Sequence, residues 1–340
     1  MLIEIKDNIF SGNDFKGLNF LIQLATYKHR YDLFVDLSII QDFEFYKRLD
    51  DEDKSILEDY FNQSIQNSQA ECPRYTVSDT EPKHFNLEEA IRFFVQPLSI
   101  ILENSLNDAY FIKALIHFFD DTGEAKRHLE NNWIQFENAG GCDNIINFIK
   151  GKSQSFNNLP KINQQYLRII NIMDSDRKFP DDKIRANKLK TLRYLVSNNC
   201  SSHILRKRNM ENYLPDEVFD FIPRANINRN LIDIYKNFTN PFQKDFFNIS
   251  KGFTNKKDEK GVPKKTRADL EEGVKELYSD VPDTDFEILD KGLQIGDFKS
   301  EVPKLFEHDT ITKENLLERV RHQQKYNELQ EIVDKILKLL

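Results

Sequence analysis

The stretch LRIINIMDSDRKFP, Leu167 to Pro180, decides how this chain is read. Leu167, Ile169, Ile170, Ile172 and Met173 make an apolar run, and Asp174 and Asp176 follow it directly. A short apolar run of this kind predicts a buried strand. Side chains at i and i+2 of an extended chain share a face, so a continued strand would set two carboxylates side by side. They repel each other unless a cation or a hydrogen-bonded turn lies between them. An isolated D-x-D most often just opens a solvated turn, so the flanking segments have to give this one its meaning.

Upstream, PLSIILEN (Pro97–Asn104) predicts a strand and Asp108–Phe119 an apolar-faced helix. NWIQFEN (Asn132–Asn138) predicts a second strand, closed by Gly140–Gly141, and Asp143–Lys150 a second helix. Downstream, Asp182–Asn198 reads as a third helix with Leu189, Leu192, Leu195 and Val196 on one side, and SSHIL (Ser201–Leu205) as a fourth strand. Repeated strand–helix units with mostly apolar strands imply an α/β fold with a parallel sheet covered on both faces. Ligands of such sheets collect beyond the carboxyl ends of the strands.

The chain divides into three regions. Residues 1–95 form an N-terminal α/β region, with strands at Leu2–Asp7 and Tyr31–Ser38 and helices at Asp14–Tyr27 and Asp50–Gln66. A polar linker, Asn62–Pro73, and a short helix capped by Asn86 complete it. Residues 96–255 hold the regular strand–helix units, and residues 256–340 are a helical C-terminal region. The last region carries a basic loop, Thr254–Arg267, at its start and a terminal helix, Lys313–Leu340, at its end. Leu329, Val333, Ile336 and Leu340 step along that helix as one apolar seam, which reads first as core and only second as a docking face.

With 27 Phe, 12 Tyr and a hydrophobic fraction of 39%, the 340 residues favour folded domains over disorder. A net charge of −8 argues against an unselective polyanion binder but leaves room for local basic clusters. No stretch is long and apolar enough to predict a membrane span, and Met1 opens no signal-peptide pattern. Cys72, Cys142 and Cys200 lie far apart and give no zinc or disulfide framework. The expected location is the cytoplasm.

On the expected sheet, Glu103 ends the first strand, Asp174 and Asp176 follow the third, and Glu211 follows the fourth within LRKRNMENYLPDEV. Oxygen ligands of this kind suit a hard cation such as Mg²⁺. Carboxylates drawn from separate segments also suit a site that clamps a phosphodiester.

The apolar strand ending in Glu103, the Gly140–Gly141 turn, IMDSD and RKRNMENYLPDE together resemble a TOPRIM domain over about residues 96–255. The branch is that of OLD-like nucleases and of the TOPRIM effector subunits of PARIS-like anti-phage systems. The resemblance implies that Glu103 binds metal or handles a proton, that Asp174 and Asp176 hold Mg²⁺, with Mn²⁺ able to substitute, and that Glu211 is a further ligand. Two positions depart from the pattern. Asn104 stands where a Gly is usual, and an acid expected four residues after Glu103 meets Asn107, leaving Asn107 and the neighbouring Asp108 as alternatives. The late lysine of OLD-type nucleases matches Lys251 in FFNISKGF. Arg206, Lys207 and Arg208 offer charge to phosphates, as do Lys256, Lys257, Lys264, Lys265 and Arg267, although the latter group also suits a solvated loop.

The activity implied by the resemblance is Mg²⁺-dependent endonucleolytic hydrolysis of DNA or RNA, tRNA included, by an effector of bacterial anti-phage defence. No G-x-x-x-x-G-K-[ST] occurs in the chain, so the ATPase of such systems is expected on a separate ABC-type subunit. The regions outside 96–255 are natural surfaces for that subunit or for a homo-oligomer. Two alternatives stay open: a non-catalytic TOPRIM-like binding or scaffold subunit, and a nucleotidyl-transfer or topoisomerase-related protein.

Overall fold

A computed structural model describes residues 1–66, 75–222, 229–253, 267–293, 298–323 and 327–340. The protein is α/β, with two parallel sheets flanked by helices. The N-terminal sheet has the order β2-β1-β3, from β1 (Leu2–Ile5), β2 (Asp32–Phe34) and β3 (Tyr75–Val77). Ile3, Ile5, Leu33 and Val77 fill its core against Leu18, Leu21 and Ile22 of the helix Phe15–Thr26. The third of these strands was not expected. It spans three residues, too few to show a period of two.

The second sheet is built from β4 (Leu98–Leu102), β5 (Ile134–Asn138), β6 (Ile169–Met173) and β7 (Ser201–Ile204), in the order β5-β4-β6-β7. All its pairings are parallel. Every residue of β4 and β6 is buried, as apolar strands covered on both faces must be. Winding runs from β4 out to β5 and then crosses back to β6 on the other side. That reversal makes the carboxyl end of β4 a topological switch point, where α/β sheets open a crevice.

The covering helices depart from expectation in ways that matter for the site. The helix after β4 starts at Ser105, not Asp108, so Asp108 lies within it and its Oδ2 accepts from the Asn104 N–H at 2.9 Å. The helix before β7 spans Ala186–Ser197, and its buried face is Lys188, Thr191 and Leu195, while Val196 is 67% exposed. The apolar stripe read from the sequence is thus turned aside, because Lys188 has partners at the end of the sheet.

The terminal helix is not continuous. Lys313–Glu318 and Glu328–Leu337 are separate helices. Leu329, Val333, Ile336 and Leu340 are fully buried in the same core as Leu98, Ile100 and Ile170, so the seam is core. The N-terminal unit is tied on by buried cations bonded to carbonyls. Arg30 Nη2 donates to Gln96 O at 2.9 Å, and Arg168, which donates to Gln96 O and Leu339 O at 2.9 Å each, also donates to the Tyr31 hydroxyl of the N-terminal unit. Among the described residues no helix is long and apolar enough to cross a membrane.

Candidate metal centre

Beyond the carboxyl ends of β4 to β7 lies a cleft of about 570 Å³. Glu103, Asp108, Asp174, Asp176, Glu211 and Lys251 all line it, so every acid read from the sequence as a metal ligand, and Lys251 with them, borders one cavity. Asn107 lines it as well, so both alternatives for the second acidic position face the same space.

The strand ends explain the convergence. Glu103 leaves β4 directly, and Asp174 leaves β6 directly. Between β5 and its helix, Gly140 and Gly141 take φ values of 71° and 108°, where a side chain would be strained, and this turn forms one wall. The loops after β6 and β7 are stitched together: Ser175 Oγ donates to Lys207 O at 2.6 Å and Asp176 N to Arg208 O at 3.0 Å. Glu211 is carried on the short 3-10 turn Met210–Tyr213.

The geometry of the D-x-D pair is not that of a continued strand. Asp176 has φ 56°, in the left-handed region that Asp tolerates better than most residues. The turn sends the two carboxylates to different partners. Asp174 accepts from Asn209 Nδ2 at 3.0 Å and from Met210 N at 3.2 Å. Asp176 Oδ2 lies 2.9 Å from the Nζ of Lys188.

Lys188 is the functional-looking residue that sequence reasoning missed. Its side chain is 2% exposed, and its ammonium also donates to Glu103 Oε1 at 2.6 Å and to Asp174 O at 2.7 Å. Burial works against its charge, yet Glu103 and Asp176 outweigh burial and raise its pKa. The available signal was its place three and seven residues before Thr191 and Leu195, on one helical face.

The Asp174 carboxyl is held well above the usual carboxylate range, first by burial and then by Glu211, Asp108 and Glu103. An all-oxygen donor set in which one acid is so crowded by others fits a hard divalent cation, whose charge would relieve the repulsion. As the side chains stand, no group of three or more His, Cys, Asp and Glu among the described residues is drawn together closely enough to hold a metal ion. Instead, Asn104 N engages Asp108, Lys188 engages Glu103 and Asp176, and Asn209 Nδ2 and Met210 N engage Asp174.

The basic residues before Glu211 do not face the cleft as a set. Arg206 pairs with Glu331 at 2.7 Å. Lys207 is fully buried, 2.7 Å from Asp245, and Arg208, 8% exposed, donates to Phe246 O at 3.3 Å. Packing has taken these charges that the sequence offered to phosphates. Arg267 pairs with Asp283 at 3.3 Å, and Lys256, Lys257, Lys264 and Lys265 lie outside the described residues. Lys251 is exposed on the cleft wall, and its backbone N–H donates to Asn248 Oδ1 at 2.9 Å.

Compared with known proteins, the chain matches no family model, no curated protein and no solved structure.

Proposed function

We propose that the protein is a divalent-metal-dependent nuclease that hydrolyses phosphodiester bonds of DNA or RNA. The observation that carries this reading is the meeting of Glu103, Asp108, Asp174, Asp176 and Glu211, from the ends of three strands and one helix, around a single cleft at the switch point of the sheet. Glu103, Asp174, Asp176 and Glu211, with Asp108 beside them, would hold Mg²⁺ or Mn²⁺. A bound ion of this type supplies charge to the phosphate and lowers the pKa of a water.

The chain's own residues do the rest. Asn209 Nδ2 and Met210 N orient the Asp174 carboxylate. Lys251 projects from the cleft wall, where its charge can meet a phosphate oxygen. The Gly140–Gly141 turn borders the cleft without side chains of its own, which lets a polymer backbone approach there. By its sequence resemblance, the protein acts as the effector of an anti-phage system in which a separate ABC-type chain supplies the ATPase.

A second reading is a non-catalytic TOPRIM-like binding or scaffold subunit. It is favoured by Lys188, whose ammonium already sits between Glu103 and Asp176. One experiment separates the two: incubation with plasmid DNA and with total tRNA, in Mg²⁺ or Mn²⁺ and in EDTA. Cleavage that EDTA abolishes and that Asp174→Ala and Glu103→Ala remove without unfolding supports the nuclease. Metal-independent cutting, or no cutting of either substrate alone or with its ATPase partner, defeats it.

A further inference from the structure

We infer that Lys188 is a built-in second cation of this cleft, so that the site takes one divalent ion and the Lys188 ammonium holds the position between Glu103 and Asp176 where a second would sit. The inference rests on the metal-dependent reading above and deepens it. Three observations carry it.

First, the contacts of Lys188 are those of a bound cation. Its Nζ has oxygens at 2.6, 2.7 and 2.9 Å, from Glu103, the Asp174 carbonyl and Asp176. Of the three N–H donors of an ammonium, two are hydrogen-bonded to Glu103 Oε1 and the Asp174 carbonyl, and Asp176 Oδ2 completes the shell as an ion pair. Second, the side chain is enclosed by the fold. It is 2% exposed and enters from the first turn of Ala186–Ser197, beside the buried Thr191 and Leu195. Third, the acids divide. Glu103 and Asp176 both pair with Lys188 at under 3 Å, whereas the hydrogen bonds of the Asp174 carboxylate come from Asn209 Nδ2 and Met210 N. A divalent ion at Asp174 therefore has no need to displace the lysine, but one bridging Glu103 and Asp176 does.

The arrangement has a physical advantage over two exchangeable ions. A covalently tethered ammonium neutralises part of the acid cluster during folding, before any metal is present, which limits the cost of gathering like charges. It also leaves the fixed cation with no dependence on metal concentration.

The test is the number of Mn²⁺ ions bound per full-length chain, counted by electron paramagnetic resonance of free Mn²⁺ and by titration calorimetry. Wild type is expected to bind one ion. Lys188→Arg, which keeps the charge, should also bind one, and Lys188→Ala, which empties the position while keeping Glu103 and Asp176, should bind two. Two ions in wild type would overturn the inference while leaving the metal-dependent reading intact, and this count requires no variant to fold. One ion in a folded Lys188→Ala, at wild-type affinity, would overturn it equally. No Mn²⁺ in any variant would remove the metal-dependent reading, and this inference with it.

Discussion

The Nζ of Lys207 lies 2.7 Å from Oδ1 of Asp245, with side chains 0% and 1% exposed. Asp245 also sits 2.7 Å from His322 Nε2, and its backbone carbonyl accepts from Arg208 N at 3.0 Å. The pair therefore fastens the segment after β7, which leads to Glu211, against the helix Pro241–Phe246. Asp245→Asn leaves Lys207 buried without its anion. Breaking a buried pair in this way costs about 3–5 kcal/mol. Urea denaturation should show a loss of that size, and a loss within the error of wild type would mean that the pair does not hold this segment.

The same carboxylate sets an acid limit. Burial alone would raise the Asp245 pKa, but Lys207, His322 and Arg319 overcome it and hold the group at about 2. An unfolded Asp titrates near 4. The folded value is the lower, so this contribution to stability is present above pH ~4 and is lost as the pH falls from there towards 2. It amounts to roughly 2 kcal/mol. Wild type should lose stability across that window more steeply than Asp245→Asn, and parallel pH profiles would contradict the assignment.

Asp174 behaves in the opposite sense. Burial and the neighbouring Glu211, Asp108 and Glu103 raise its pKa above the unfolded value, so the folded state binds this proton more tightly. Its contribution fades as pH rises above ~4, and the ionised group costs stability at neutral pH. Asp174→Asn should therefore raise the metal-free melting temperature, by about 1–2 °C for each kcal/mol relieved in a chain of this length, with the Asn209 amide rotating to present its oxygen. The gain should shrink towards pH 4. Mn²⁺ should stabilise wild type and not the variant. A lower melting temperature for Asp174→Asn without metal would show that the acids are not crowded.

How far this site was readable from sequence depends on which forces placed each residue. Glu103, Asp174 and Glu211 were legible because apolar runs such as Leu98–Leu102 and Ile169–Met173 mark strands, and parallel strands deliver the residues after them to one edge. Lys188 was not. Leucines at 189, 192 and 195 suggested a face that excludes it, and only the helix's position over the strand ends turns 188, 191 and 195 inward. The left-handed turn at Asp176 was hidden too, since it is held by bonds to Lys207 and Arg208, some thirty residues away. Arg206 and Lys207 looked like substrate contacts because their anions, Glu331 and Asp245, come from segments with no local signal linking them.

Glu328 shows why the C-terminal helix belongs to the site's support. It is fully buried, with His203 Nε2 at 2.9 Å, and it accepts from Arg206 N at 2.8 Å and from Tyr213 OH at 2.6 Å. Glu328→Ala orphans these donors at once. Each buried unsatisfied donor costs about 1–3 kcal/mol, so the total loss should reach at least ~3 kcal/mol by chemical denaturation. Because Arg206 and Tyr213 flank Glu211, Mn²⁺ affinity should fall in the folded fraction. Unchanged stability would sever the helix from the site.

Lys251 offers the cleanest separation of chemistry from structure. Its side chain is exposed on the cleft wall, and the bond that fixes its position, from its backbone N–H to Asn248 Oδ1 at 2.9 Å, does not involve the ammonium. Lys251→Ala should leave the melting temperature and the Mn²⁺ count at wild-type values. Its cleavage rate should fall by about 10²-fold or more, the scale on which losing one positioned charge-stabilising donor acts. Lys251→Arg should restore part of the rate, since a cation again reaches the same wall. Wild-type turnover by Lys251→Ala would remove the residue from the reaction and leave phosphate charge to be met elsewhere in the cleft.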